Sequence, residues 1–267
     1  MNEYRDFAAF YDALTEDVDY AAWAAYALAL IRRHGGSSGQ MLDLACGSGS
    51  LSLELAARGA EMVAVDGSAD MLAIAREKAA DAGADILFLR QDMRQLDLYG
   101  TVDSAVCMLD SLSHIVRTDE LREIFRRLGL FIAPGGLLLF DVNTPHKHAV
   151  TLGDNAFVFE TEEFLCVWRN TYAKERHEVT MQLDFFLEED GIYRRYTDEV
   201  RERAYSLSTW KRLLTETGFD LLGVYGEQSM QPPAADADRW VLVARNRAIH
   251  QKKRRVDNGK ADTLPDP

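Results

Sequence analysis

The sequence predicts an α/β fold in which a doubly wound, mainly parallel sheet is covered by helices. Apolar stretches typical of strands alternate with segments of helical periodicity over about the first 143 residues. Residues 41–44 form a short apolar strand that leads through Gly47 and Gly49 into the start of a helix. Carboxylates stand at the ends of three successive predicted strands, at Asp43, Asp66 and Asp92. Charges repeated along one edge of a sheet indicate a ligand there.

Two helices are predicted in the N-terminal unit, residues 1–35. Apolar side chains recur at helical spacing in both, at Phe7, Phe10, Tyr11 and Leu14 and then at Trp23, Tyr26, Ala27 and Leu30. The unit is interpreted as a helical lid over the sheet edge. The alternative is that both helices simply cover the sheet.

The core follows in residues 36–143. Its strands are predicted at 41–44, 61–65, 86–89, 101–108 and 137–142. Ser68 is expected to cap one helix, and a second helix is expected over about 119–131. Pro134-Gly135-Gly136 is expected to break the chain before the fifth strand.

The pattern changes after Asn143. Residues 164–172, 179–187 and 192–204 have strand character and are separated by turns, which predicts an antiparallel β-rich substrate insertion over 144–206. The core resumes in 207–245 with a helix capped by Ser208 and ended by Gly218, followed by strands at 219–225 and 239–245. Residues 246–267 are rich in charge and poor in apolar side chains, which predicts a disordered tail.

The glycine turn differs from a dinucleotide-binding fingerprint. A pyrophosphate site favours a third glycine, whereas this chain has Ser52 in that position and an acid, Asp43, just before the turn. An acid there suits a cation, and Asp66 can accept both hydroxyls of a ribose. The expected ligand is a nucleoside that carries an amino acid and a sulfonium.

Three stretches together resemble the class I S-adenosylmethionine-dependent methyltransferases. They read LDLACGSG (42–49), VAVDGSADML (63–72) and LFLRQDM (87–93). The resemblance spans about residues 1–245 and is closest to bacterial small-molecule methyltransferases with an N-terminal helical lid and a β-insertion. It implies a Rossmann-like seven-stranded doubly wound sheet with an antiparallel last strand, and S-adenosyl-L-methionine as cofactor. Ala45 and Cys46 depart from the pattern, because many relatives have glycine there.

The motifs and the resemblance together indicate a cofactor site and no metal site. Several of the candidate residues have an ordinary structural role as the alternative. The two glycines could form a plain turn, Asp92 could be a helix N-cap, and the methionines could pack in the core. The candidate cofactor-binding residues are Tyr11, Trp23, Asp43, Ala45, Cys46, Gly47, Gly49, Asp66, Gly67, Met71, Gln91, Asp92, Met93 and Met108.

Methyl transfer is an in-line displacement, so the protein mainly has to align donor and acceptor in a dry pocket. The segment after the fourth strand places Asp110, Ser111 and His114 near the expected methyl position. His114 and Asp110 are the catalytic candidates, with His114 as a base that could deprotonate an acceptor near neutral pH. The alternative for His114 is a helix cap or a hydrogen-bonding core residue.

Charge and composition favour a small-molecule acceptor over nucleic acid. The formal net charge is −13, although Lys252-Lys-Arg-Arg255 leaves RNA methylation open as an alternative. A catalytically silent binding module is a third possibility, disfavoured by the intact acids and glycines of the turn. The N-terminus lacks the features of a signal peptide and no apolar run is long enough for a membrane span, so a cytoplasmic protein is expected. The oligomeric state is not predicted.

Overall fold

A computed structural model describes residues 5–161, 164–189 and 191–247 of the 267-residue chain. The helices within these ranges are α1 (Arg5–Leu14), α2 (Tyr20–Arg33), α3 (Ser50–Ala56), α4 (Ala69–Asp81), α5 (Thr118–Phe131) and α6 (Leu207–Glu216). The strands are β1 (Gln40–Leu44), β2 (Glu61–Asp66), β3 (Ile86–Arg90), β4 (Val102–Cys107), β5 (Ile132–Asn143), β6 (Ala156–Glu160), β7 (Phe164–Ala173), β8 (Glu178–Glu189), β9 (Ile192–Arg203), β10 (Phe219–Tyr225) and β11 (Arg239–Asn246).

The main sheet has seven strands in the order β10-β11-β5-β4-β1-β2-β3. Strands β1 to β5 are parallel where they pair, and β11 is antiparallel to both β5 and β10. The predicted doubly wound sheet with an antiparallel last strand is therefore confirmed. The strand order reverses between β1 and β4, and such a switch point opens a crevice at the carboxyl ends of the strands.

Helices cover both faces of this sheet. Helices α2 and α3 pack on one face, where Leu30 and Leu55 are fully buried. Helices α5 and α6 pack on the other face, where Trp210 lies 5.5 Å from Phe140 and 6.2 Å from Phe125, between ring centroids. Continuous apolar strands are required in the middle of such a sheet because both of their faces are buried.

The second sheet is antiparallel and has the order β6-β7-β8-β9. The predicted antiparallel insertion is confirmed, although β6 was not expected. One face of this sheet contacts α1, where the ring of Phe10 lies 4.8 Å from Phe185 and 5.1 Å from Phe164. Phe10 is buried by these contacts, so the N-terminal helix is held by the insertion.

Some predicted boundaries differ from the structure. Strand β5 begins at Ile132 and passes through Pro134-Gly135-Gly136, which forms a bulge where the register with β4 shifts. Gly136 is required there, because a Cβ would lie 2.4 Å from the carbonyl oxygen of Asp103. The cap of α6 is Ser206 rather than Ser208, since the Ser206 hydroxyl accepts the backbone N–H of Thr209. A π-helical segment at Lys147–Leu152 was not predicted.

The predicted tail lies outside the described residues from position 248 onward, and so does its basic run. Asn246, which the sequence assigned to the tail, ends β11 and is buried, and its amide donates to the carbonyl oxygens of Gly129 and Ile132. Within the described ranges, no helix is both long and apolar enough to cross a bilayer.

Candidate functional site

An open cavity lies at the carboxyl ends of β1 and β4, next to the switch point of the main sheet. Ligands of open α/β sheets bind at such switch points. The lining residues are Tyr11, Tyr20, Asp43, Ala45, Cys46, Ser48, Ser50, Leu51, Met108, Leu109 and Ser111.

The turn after β1 has a backbone that favours glycine. Gly47 and Gly49 have φ values of 55° and 77°, a region that L side chains rarely adopt. A Cβ on Gly49 would lie 2.9 Å from the Cβ of Ala75, so this glycine also permits close packing against α4. Ala45 has φ 60°. A non-glycine residue in this conformation stores backbone strain, which is typical of functional turns.

Asp43 is an acid placed inside the protein. It is 2% exposed, lines the cavity, and accepts a hydrogen bond of 2.6 Å from the Ser52 hydroxyl. The pKa of its carboxyl is raised to about 7. Burial is the main cause, the nearby charge of Asp66 acts in the same direction, and the hydrogen bond from Ser52 opposes the rise. A buried carboxylate at this position would gain from a cationic ligand, because the cation replaces the lost hydration.

Asp66 ends β2 and is oriented by two backbone donors. Its Oδ2 accepts the N–H of Gly47 at 2.9 Å and its Oδ1 accepts the N–H of Ser68 at 2.8 Å. A carboxylate has about four acceptor positions, so two remain for a ligand. The side chain is thus fixed against the glycine turn while it can still accept a pair of hydroxyls.

The residues after β3 form a compact loop. Asp92 caps the short helix Met93–Gln95 and pairs with Arg94. The Gln91 amide closes the loop through two hydrogen bonds of 2.8 Å with the backbone of Asp97. Asp92 therefore acts as a helix N-cap, which was the alternative to a cofactor contact.

Three further cofactor candidates, Met71, Met93 and Gly67, follow the ends of β2 and β3. Met71 is buried in the first turn of α4 and Met93 is partly buried against the core. Gly67 lies close to the backbone of Gln91, since a Cβ there would be 4.0 Å from the Gln91 carbonyl oxygen. The ends of β2 and β3 are thus brought together as predicted, and both methionines also pack in the protein.

The lid contributes one of its two predicted aromatics to the cavity. Tyr11 lines it together with Tyr20, and burial raises the pKa of Tyr11 so that its phenol stays protonated. Trp23 is buried, with the guanidinium of Arg239 6.0 Å from its ring centroid, and is not among the residues that line the cavity. Tyr20, which the sequence did not single out, is one of them.

A polar cluster joins α1 to the cofactor turn and to α4. The Ser48 hydroxyl donates to Asp12 at 2.5 Å, and Lys78 Nζ lies 2.6 Å from the other carboxylate oxygen of Asp12. Lys78 also donates to the Ser50 hydroxyl at 2.9 Å. We call Asp12, Ser48, Ser50 and Lys78 the lid latch, because they connect the N-terminal helix to the cavity wall.

The segment after Met108 brings together ionisable groups from separate parts of the chain, close to the lining residues Leu109 and Ser111 in sequence. One carboxylate oxygen of Asp110, one imidazole nitrogen of His114 and one carboxylate oxygen of Glu202 all lie within 4.8 Å of one another. Asp110 has φ 56° and accepts a hydrogen bond of 2.9 Å from Arg239. Asp110 and His114, the two catalytic candidates from the sequence, are neighbours in the structure, and the fold adds Glu202 from β9.

Arg239 organises this end of the site. It pairs with Asp110 and with the fully buried Asp141, and its Nε lies 3.2 Å from Glu227. Burial opposes ionisation of Asp110, but the positive charges of Arg239, Lys147 and His114 outweigh it and lower its pKa to about 2. Burial raises the pKa of Asp141. Asp110 is therefore held as a carboxylate beside the cavity.

Arg239, Glu202, Lys78 and Tyr20 were not predicted. Arg239 and Glu202 are more than 80 residues along the chain from Asp110 and His114, the residues that they contact. Lys78 and Tyr20 are nearer in sequence but belong to no motif. One local signal was available for Glu202. In β9 the side chains of Tyr196 and Val200 pack against the apolar cluster, and Glu202 has the same parity. An acid at an inward-facing position of a strand indicates a buried polar site.

Comparisons with known proteins also point to a methyltransferase. A family model described as a methyltransferase domain matches residues 41–136. A putative methyltransferase of Geobacillus sp. (strain WCH70) is 32% identical over 244 residues, or 91% of this chain and 99% of that protein. A dTDP-3-amino-3,6-dideoxy-alpha-D-glucopyranose N,N-dimethyltransferase of Streptomyces fradiae is 33% identical over 123 residues, or 46% of this chain and 47% of that protein. The crystal structure of an S-adenosylmethionine-dependent methyltransferase from Clostridium acetobutylicum ATCC 824 matches with a TM-score of 0.82 at 28% identity, over 92% of this chain and 100% of that one.

Proposed function

The chain belongs to the class I S-adenosylmethionine-dependent methyltransferases, and from that premise we propose that it methylates the nitrogen of a small-molecule amine. The observation that carries the proposal is the trio of Asp110, His114 and Glu202, in which one side-chain oxygen or nitrogen from each lies within 4.8 Å of the others. Asp110 stands in the chain between Leu109 and Ser111, which both line the cavity. Two acids and an imidazole attract an ammonium group and can remove its proton.

The cavity fits the cofactor chemically. Asp66 has free acceptor positions for the ribose hydroxyls, and the glycine turn leaves backbone accessible at Gly47, where a Cβ would be 3.8 Å from the nearest atom, on the Tyr11 ring. Asp43 is a buried acid that gains from a positive ligand. Bound S-adenosylmethionine supplies a methyl carbon on a sulfonium, which is electrophilic without further activation.

The protein's own contribution is alignment, exclusion of water and proton handling. Tyr11 and Tyr20 close the lid side of the cavity, and Met108 and Leu109 provide apolar walls next to Ser111. His114 is proposed as the base because it is partly exposed beside the cavity end, with a side chain 45% accessible. Asp110 is proposed to bind the acceptor's ammonium while Arg239 holds it in place.

Nitrogen is favoured over oxygen for two reasons. A protonated amine carries the charge that the acidic cavity end prefers, and the Streptomyces fradiae relative bears the name of an N,N-dimethyltransferase. That similarity covers less than half of either chain, so it supports the reaction type without naming the amine.

The proposal is tested with methyl-labelled S-adenosylmethionine and two matched compound sets, primary and secondary amines of sugar or amino-acid size and the corresponding alcohols. We expect label in amines and none in the alcohols, with His114→Ala slowing transfer at least tenfold. The control is His146→Ala, since His146 pairs with Asp238 away from the cavity lining. Label found only in alcohols would overturn the choice of nitrogen.

A further inference from the structure

A buried hydrogen-bond network lies directly behind His114, and none of its other members was predicted. Glu202, at the end of β9, points one carboxylate oxygen toward His114 Nε2 at 3.8 Å. Its other oxygen accepts a 2.7 Å hydrogen bond from the Asn143 amide and lies 3.3 Å from His148 Nε2. Glu202 is 6% exposed at the side chain and His148 is fully buried, so water does not solvate these charges.

The hydrogen-bond acceptors around His148 determine where this network carries protons. His148 Nδ1 lies 3.0 Å from the carbonyl oxygen of His177, which can only accept, so Nδ1 carries a proton. A neutral His148 would then direct the lone pair of Nε2 at the carboxylate of Glu202. Two buried lone pairs facing each other at 3.3 Å are unfavourable. One proton must therefore lie between His148 and Glu202.

The surrounding residues fix Glu202 in this geometry. Lys147 Nζ donates to the Asn143 side-chain oxygen at 2.9 Å, which determines that the Asn143 amide nitrogen faces Glu202. Ser113 accepts the backbone N–H of Asn143 at 3.3 Å and so ties it to the segment of His114. The core and the insertion thus meet at one carboxylate.

We propose that Glu202 is a positioning residue for His114 and that it shares one proton with the buried His148. The inference rests on the proposed function for its role in turnover, but the shared proton does not. In the reaction the acceptor nitrogen forms the bond to the methyl carbon, the bond from that carbon to sulfur breaks with its electron pair remaining on sulfur, and the nitrogen's proton passes to His114. Glu202 stabilises the resulting imidazolium and keeps its ring directed at the cavity.

Other charged groups face this network and set its electrostatic background. Asp110 lies on the cavity side of His114, with Arg239 from β11 behind it, and Lys147 approaches from the segment after β5. A substitution at Glu202 changes none of these residues themselves. Its effect can therefore be assigned to one carboxylate.

The first test uses nitrogen-15 NMR of the imidazoles in the free full-length protein, which needs no acceptor. In the wild type at neutral pH, His148 should show a protonated Nδ1 and a proton shared at Nε2. In Glu202→Gln, His148 Nε2 should lose the shared proton and show the shift of an unprotonated nitrogen, and the nitrogen signals of the His114 ring should move because its neighbouring carboxylate is gone. Glu199→Gln is the matched control, because Glu199 is an exposed acid on the same strand.

The second test measures transfer to the amine identified above. Glu202→Gln should lower kcat about tenfold or more and move the acid limb of the pH profile to lower pH, with cofactor affinity within about twofold. Glu202→Asp, which keeps the charge, should recover part of the loss. Unchanged imidazole spectra in a folded Glu202→Gln protein would overturn the inference even if no amine were methylated, and an absence of methyl transfer with altered spectra would overturn only the proposed function.

Discussion

Two aspartates of the cofactor turn show how the environment of a side chain sets its role. Asp66 accepts two backbone N–H groups and is partly exposed, whereas Asp43 is buried and has one hydroxyl donor. The pKa of Asp43 is raised to about 7 by burial. Asp66 is thus suited to hydrogen-bond a neutral group such as a ribose, and Asp43 is suited to compensate a positive charge.

Asp66→Ala should weaken the binding of S-adenosylhomocysteine at least tenfold in isothermal titration. The reason is the loss of two hydrogen bonds to a charged acceptor, each contributing about 1.5–3 kcal/mol. The control is Asp81→Ala at the exposed end of α4. A folded Asp66→Ala protein with unchanged affinity would remove Asp66 from the site.

Asp43 should make the stability of the ligand-free protein depend on pH. Its folded-state pKa of about 7 lies above the ordinary value of 3.8, so the folded state retains a proton that the unfolded state has released between these limits. Its contribution is fully present below about pH 4 and is lost as the pH rises toward 7, by roughly 1.4 kcal/mol per pH unit at most. Urea unfolding between pH 4 and 8 should show this slope in the wild type and a flatter one in Asp43→Asn.

Asp43 should give cofactor binding the opposite pH dependence, with affinity rising as the pH rises. Ionised Asp43 favours a cation, so affinity for S-adenosylmethionine should rise between pH 5.5 and 7 with release of a proton. In Asp43→Asn the affinity should be lower and nearly independent of pH in this range. An equal pH dependence in both proteins would exclude Asp43 as the source.

At the scale of elements, the cavity is closed by parts that do not belong to one continuous domain. Helix α1 is held from one side by Phe164 and Phe185 of the insertion and from the other by the lid latch on the cofactor turn. Helix α1 and the insertion are therefore in direct contact. A change in either should alter the position of Tyr11, which lines the cavity.

Asp12→Ala should loosen the lid. It removes the partner of Lys78 and the acceptor of the Ser48 hydroxyl, which are half-exposed contacts, so the expected loss of cofactor affinity is about threefold to tenfold. Proteolysis near the N-terminus should become faster in the same variant. Asp17→Ala, an exposed acid in the loop between α1 and α2, serves as the control, and equal behaviour of the two variants would show that the latch does not close the cavity.

The elements that the sequence predicted well are those with local signals. Ser68 caps α4 as expected, and the strand-turn-helix unit around Gly47 has the predicted form, because caps and left-handed turns are decided by nearby atoms. The acceptor end could not be predicted to the same extent. Its contacts join His114 to Glu202 and Asp110 to Arg239, more than 80 residues apart, and these pairs depend on sheet order and on how the insertion folds back.

At the scale of the whole molecule, charge decides which partners are compatible. Subtracting the six Lys/Arg and three Asp/Glu of residues 246–267 from the totals of 30 and 43 leaves 24 basic and 40 acidic residues, a formal charge of −16 for residues 1–245. Such a body repels a polyanion. The basic run at Lys252–Arg255 offsets this only locally.

We therefore expect no methylation of RNA. Incubation with labelled cofactor and total cellular RNA should leave the RNA unlabelled, while a small-metabolite extract should take up label. A few tail contacts bind weakly and lose affinity with salt, and they do not position one base in a buried pocket. Label in RNA that survives both moderate salt and deletion of residues 246–267 would favour the RNA alternative.

The position of β11 has a consequence for the order in which the protein becomes competent during synthesis. This last strand lies between β5 and β10 and begins with Arg239, the partner of Asp110 and Asp141. The cofactor turn and the strands β1 to β4 are complete long before β11 leaves the ribosome. A nascent chain can thus assemble its cofactor edge early, whereas the neighbouring acids Asp110 and Asp141 lack the guanidinium of Arg239 until β11 has been translated.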